Sequence, residues 1–262
     1  MIDKQPRKRF GLIILIVFIL VFLIYYSVMS FLSPGKTLAR ISNEHAIKQD
    51  EKTKIDERIF SDSTFLVKFK ERTFLQSRIA LAESDSIYLT INLADSTANL
   101  QIYGVTVHSA KIKDLKMSNI LRKGNDYVIS SLLSSPFTIS SSIATIEKEP
   151  VMIRMAPKDT SEYKPDIMPD TTITEPVNYK LVMTDGTRIY IYQAENEKSV
   201  DRMNLFRFDL RDRVRESWNS LKSVAVFKIP EYHLFIKIRI PRADAKIIYR
   251  ALPKNGQIGV FR

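Results

Sequence analysis

Apolar positions run without interruption from Phe10 to Leu32, 23 residues that carry no charge and include 17 of Leu, Ile, Val or Phe. At ~1.5 Å per residue such a stretch crosses the ~30 Å hydrocarbon of a bilayer. At roughly −0.3 to −0.6 kcal/mol per large apolar residue, insertion is favoured by on the order of 5 to 10 kcal/mol. A soluble core seldom holds a helix of this length that is apolar all round. A cleaved signal peptide has a shorter apolar region ending in small residues, whereas this one runs into Tyr25, Tyr26 and Met29. The pattern predicts an uncleaved transmembrane signal anchor over 10–32. Lys4, Arg7, Lys8 and Arg9 crowd its amino side, which places a tail at 1–9 in the cytoplasm and the remaining chain on the periplasmic or extracytoplasmic side.

Beyond the span the pattern changes twice. Pro34-Gly35 reads as a break, and residues 33–84 read as a helical stalk whose buried stripe runs through Phe65, Leu66, Phe69, Leu75 and Ile79. At Ser86 the spacing shortens to that of strands: Ile87–Leu93, then Ala94-Asp95-Ser96 as turn chemistry, then Ala98–Tyr103 and Val105–Val107. Val128-Ile129, Phe137–Ile139 and Val151–Met155 are weaker strand candidates, and 85–155 is taken as a first β-rich subdomain. Residues 156–176 hold four prolines and five acidic residues without periodicity, a linker or a functional loop.

Residues 177–262 form the second subdomain. Asp185-Gly186 between alternating apolar runs is a hairpin signal. Asp209–Leu221 reads as a basic helix with Leu210, Val214, Trp218 and Leu221 along one stripe, Tyr232–Ile240 as a strand, and Pro241 as the start of a helix whose stripe is Ala243, Ile247, Ile248 and Ala251. Gln257–Phe261 closes as a strand. The expected fold class is α+β: an N-terminal transmembrane helix and helical stalk, then a mostly antiparallel β-sheet with two or three packed helices.

Composition narrows the chemistry. The chain has no cysteine and three histidines, His45, His108 and His233, so disulfides, thiolate metal sites and cysteine nucleophiles are excluded. His108 and His233 fall on strands in surroundings typical of ordinary surface histidines. No metal-ligand spacing, glycine-rich phosphate loop or G-x-S-x-G elbow occurs. No enzyme activity, cofactor or metal is expected. A carboxylate-based envelope hydrolase or transferase is the competing class, and a transmembrane subunit of an envelope assembly is a third.

Charge is unevenly placed. The net +11 divides into +3 before the span ends, −1 over 33–197 and +9 over 198–262. Arg202, Arg207, Arg211, Arg213, Arg215 and Lys222 gather on one predicted helix as a patch for an anionic partner. Nucleic acid is excluded by the predicted topology. Peptidoglycan, anionic lipid headgroups or an envelope protein are the candidates, beside the bilayer itself through 10–32 and a homo-oligomer through span and stalk. The alternative is a solvated face with Asp209, Asp212 and Glu216 as local partners.

Ile87 to Ile112, IYLTINLADSTANLQIYGVTVHSAKI, resembles the opening strands of the L,D-transpeptidase (YkuD-type) domain. Arg239 to Phe261, RIPRADAKIIYRALPKNGQIGVF, is similar to that family's closing helix and strand, with Asp244-Ala245 and Tyr249 where the family often has an Asp-Ala pair and a Tyr. The family's cysteine motif, of the S-H-G-C-I-R type, and its upstream histidine have no counterpart here. The resemblance therefore implies a degenerate, non-catalytic relative and transfers no functional residue. The reading as a whole is a single-pass, membrane-anchored cell-envelope protein with a structural or interaction role.

Overall fold

A computed structural model describes residues 5–45, 63–148, 175–195 and 198–262. The predicted strand Val151–Met155 and residues 156–174 of the proline-rich segment lie outside the described residues.

The first helix, α1 (Gln5–His45), is 41 residues long and contains Pro34 in its interior. The expected break at Pro34-Gly35 is absent because contacts on both sides of the proline hold the helix against the domain. Ser33 Oγ donates to the Pro230 carbonyl at 2.6 Å, Thr37 Oγ1 donates to the Tyr232 carbonyl at 3.1 Å, and Ile41 is buried in the core. These contacts offset the backbone hydrogen bond that a proline forfeits. The most apolar window of α1 is 0% buried, and it is the one candidate membrane span among the described residues.

α2 (Ser63–Ala82) packs differently from the expected stripe. Leu75 and Ile79 face solvent, while Thr73, Ser77 and Leu81 are buried. Small side chains line the contact because a glycine backbone comes close: a Cβ on Gly259 would lie 2.8 Å from Leu81 Cδ1 and 3.3 Å from Ser77 Oγ. Hydrophobic periodicity therefore pointed to the wrong face of the helix.

The strands are β1 (Tyr88–Asn92), β2 (Thr97–Ile102), β3 (Val105–Lys111), β4 (Asp114–Met117), β5 (Phe137–Ala144), β6 (Asn178–Met183), β7 (Arg188–Gln193), β8 (Phe235–Ile240) and β9 (Gln257–Phe261). Among them lie α3 (Asn119–Lys123), α4 (Asp126–Leu133), α5 (Ser199–Ala225) and α6 (Arg242–Ala251). Val128 and Ile129, expected in a strand, belong to α4. The Asn125 carboxamide caps it by accepting from the Tyr127 and Val128 amides at 2.9 and 3.4 Å, and that start signal outweighs two β-branched residues.

All nine strands join one sheet in the order β3-β2-β1-β9-β5-β6-β7-β8-β4. The sheet is mixed but mostly antiparallel, with β1–β9 and β7–β8 as its parallel pairs. The two ends of this order are neighbours in the chain. Ile112 donates to Ser96 beside β2, and Lys113 donates to Arg239 on β8, so one continuous segment leaves one edge and enters the other. Strands from 85–155 and from 177–262 thus interleave around one apolar cluster that includes Leu89, Ile91, Leu100, Ile189, Ile238 and Ile258. α6 adds Ala245, Ile248 and Tyr249, whose ring centroid lies 4.8 Å from that of Tyr179. Each such fully buried aliphatic side chain contributes about 1.5–3 kcal/mol. The opposite face is covered in two parts, by α2 over β1 and β9 and by α5 over β6 and β7.

Candidate functional site

α5 is 27 residues of uninterrupted helix without Gly or Pro. At 3.6 residues per turn its side chains sort into three bands. The band toward the sheet is polar. Asp212 takes an ion pair from Lys180, whose side chain is 3% exposed, and a hydrogen bond from the Tyr190 hydroxyl at 2.7 Å. Tyr192 donates to Asp209 at 2.7 Å, and Arg188 donates to Glu216 at 2.6 Å. Lys237 Nζ sits 4.4 Å from the Tyr190 ring centroid and 5.6 Å from that of Tyr192, a cation–π arrangement. Burial first, then the bonds to Asp212 and Asp209, push the Tyr190 and Tyr192 hydroxyls well above the usual phenol range. Burial pulls Asp212 upward, but hydrogen bonds from Lys180 and Tyr190, with the charges of Lys180 and Arg188, leave its carboxyl below the ordinary value. Burial lowers Lys237 against the pull of Asp209.

The band facing away from the sheet is apolar. Val200, Met203, Phe206, Leu210, Val214 and Trp218 are all exposed, and Leu221 continues their line half-buried. The helix therefore turns its acidic stripe inward and its hydrophobic stripe outward, the reverse of an ordinary surface helix. The stripe predicted from Leu210, Val214, Trp218 and Leu221 exists, but it does not enter the core.

All six residues of the predicted basic patch lie on α5 and border this stripe. Arg207, Arg211 and Arg215 follow one flank at four-residue spacing and line a cavity of about 360 Å³ with Phe208, Asp212 and Pro176. Arg202 and Arg213 lie on the other flank. Lys222 falls on the first flank, with Nζ 5.8 Å from the Trp218 ring centroid. Asp209, Asp212 and Glu216 do not neutralise this patch, because the sheet engages them. Lys180, Tyr190 and Tyr192 escaped the sequence reading. Their signal was present as alternation in RIYIYQ, where the positions opposite the isoleucines are Arg and Tyr, side chains suited to a covered polar face.

Elsewhere, His108 Nε2 lies 3.1 Å from Asp244 Oδ1. This contact joins β3 to α6, and β1 pairs with β9, so the two segments carrying the transpeptidase resemblance pack together. His233 Nδ1–H donates to the Gly186 carbonyl at 3.1 Å. Burial and the nearby Arg188 charge hold its imidazole below the ordinary range. Glu216 and Glu231 line one cavity of about 580 Å³, yet Glu216 is engaged by Arg188. No group of three metal-ligating side chains occurs among the described residues.

No family model, curated protein or solved structure matches the chain. What α5 can do rests on its own geometry: an exposed hydrophobic stripe about 27 residues long, bordered on both sides by guanidinium groups.

Proposed function

We propose that the protein is a single-pass, membrane-anchored interaction protein of the cell envelope. In this reading α1 holds a non-catalytic extracytoplasmic domain at the membrane, and α5 binds an acidic amphipathic helix of a partner protein. The observation that carries the reading is the reversed amphipathicity of α5. An apolar stripe of this length recurs where a second helix covers it, and the six basic side chains along its borders select acidic flanks. The envelope setting is supported by the basic cluster before an apolar run of bilayer length. The partial resemblance to the L,D-transpeptidase domain, without that family's cysteine, supports a non-catalytic role.

Two other occupants fit less well. A second copy pairing through α5 about a two-fold axis would set arginine flank against arginine flank. A bilayer surface does not match the direction of the helix. Phe227, just past the end of α5, lies against Tyr25, while Glu216, Asn219 and Ser223 share a cavity with Lys36. α5 thus runs antiparallel to α1, and its stripe faces sideways.

The full chain reconstituted in phosphatidylcholine vesicles tests the reading. Two synthetic helices share leucine core positions and carry either glutamate or lysine flanks. Trp218, the lone tryptophan, reports binding through a blue shift of its emission. The glutamate peptide is expected to shift it and the lysine peptide to leave it unchanged, with Leu210→Glu abolishing the response. Equal responses to both peptides, or none, overturn the proposal. Protease access to the domain in spheroplasts, with protection in inside-out vesicles, is the expected topology; the opposite pattern removes the extracytoplasmic assignment.

A further inference from the structure

We infer that the corner between α5 and β8, Val226-Phe227, is a second membrane-contact site that seats in the bilayer beside α1; this rests on the reading of α1 as a membrane anchor. Three observations converge on it. The first is exposure: Val226 is 64% and Phe227 80% exposed, although both are apolar.

The second is position along α1. The charged run Arg7-Lys8-Arg9 sets the inner boundary of the span. From Phe10, about 20 residues are needed to cross ~30 Å of hydrocarbon, which carries the outer boundary to the neighbourhood of Met29. Helix tilt moves that boundary further along the chain, never back. Tyr25 lies inside it, and the Phe227 ring centroid is 5.8 Å from that of Tyr25. Whatever surrounds Tyr25 on its outer side surrounds Phe227 too. On the far side of α1, Val28, Phe31 and Leu32 remain exposed at 53%, 87% and 48%, as a lipid-facing surface would be.

The third is backbone conformation. α5 ends in a Schellman arrangement: the Lys228 amide donates to the Ser223 carbonyl at 2.9 Å and the Phe227 amide to the Val224 carbonyl at 3.0 Å. The residue after the C-cap then needs a left-handed conformation, and glycine is the usual choice. Here it is Phe227, with φ of 57°. A strained, solvent-exposed phenylalanine where glycine fits better has no account in the packing of the domain. A hydrocarbon environment supplies one.

The test uses the full chain in phosphatidylcholine vesicles whose acyl chains carry bromine as a contact quencher. Trp218→Phe clears the background, and single tryptophans are then placed by Phe227→Trp, Phe31→Trp and Phe18→Trp. Trp at 18 should lose most of its emission to brominated lipid. Trp at 227 should be quenched to the degree seen at 31 and be shielded from aqueous iodide. If Trp at 18 is quenched but Trp at 227 is reached by iodide and spared by bromine, the second contact is overturned while the anchor stands. If Trp at 18 is itself unquenched, the anchor reading falls, and this inference with it.

Discussion

Lys180 is a lysine with 3% side-chain exposure in the middle of a sheet, and its position is tolerable only because Asp212 reaches down from α5 to meet it. Asp212→Asn strands that charge and is expected to cost about 3 to 5 kcal/mol. Replacing both partners, Lys180→Met with Asp212→Leu, is expected to be neutral or stabilising, since the desolvation of both ions disappears together. Urea unfolding followed through Trp218 measures both. His233 gives the pH dependence. Its folded pKa is depressed by burial and by Arg188, while Glu216 and Glu231 pull the other way. The unfolded chain therefore takes up a proton first, near pH ~6.5, and stability is lost as the pH falls below that value toward the folded pKa. His233→Asn should flatten the fall in melting temperature between pH 7.5 and 5.5, and an unchanged slope would assign it to other groups. Asp212, also depressed, acts in a lower window: its contribution is present above ~3.9 and lost as the pH falls through its folded value.

Among the elements, α2 and α5 show where periodicity misleads. Gly259→Val in β9 should push α2 outward through Leu81 and Ser77 and cost about 1–3 kcal/mol, read as a lower melting temperature. Nothing in the α2 sequence reveals this contact, because its partner is a glycine far along the chain and the buried positions are Thr and Ser. α6 was legible at Ile248, with Pro241 placed at its start, yet the buried set is Ala245, Ile248 and Tyr249, and Ile247 is exposed. Strands β1, β2, β7 and β9 were readable because alternation and turn residues are local signals. β4 was not, since Asp114–Met117 earns its strand conformation only by pairing with β8. In the candidate site, the six basic residues and half of the apolar stripe were visible as composition on one helix. Which way that helix faces depends on Lys180, Arg188, Tyr190 and Tyr192, and no local pattern encodes that. At the end of α5, Phe227→Gly should leave the melting temperature within about 1 kcal/mol of the parent, because relief of the left-handed strain offsets the entropy of an added glycine. A phenylalanine buried in the core would lose about 3 to 5 kcal/mol on truncation.

At the scale of the whole molecule, α1 passes from its apolar segment into the domain without a joint, and the sheet closes through the segment between β3 and β4. The interleaved strand order imposes a timetable on folding. The β1–β2–β3 meander can zip locally as soon as it is made, but Leu89 and Ile91 gain their second neighbours only when Ile258 and Val260 arrive. Until then the half-built sheet carries a raw hydrogen-bonding edge, the kind that captures stray strands. Ile41 on α1 waits through the same interval for the core it enters. The fold thus cannot mature piece by piece from its amino end, and a newly made chain, already tethered if α1 is an anchor, needs shelter for its open edge until β9 slides between β1 and β5.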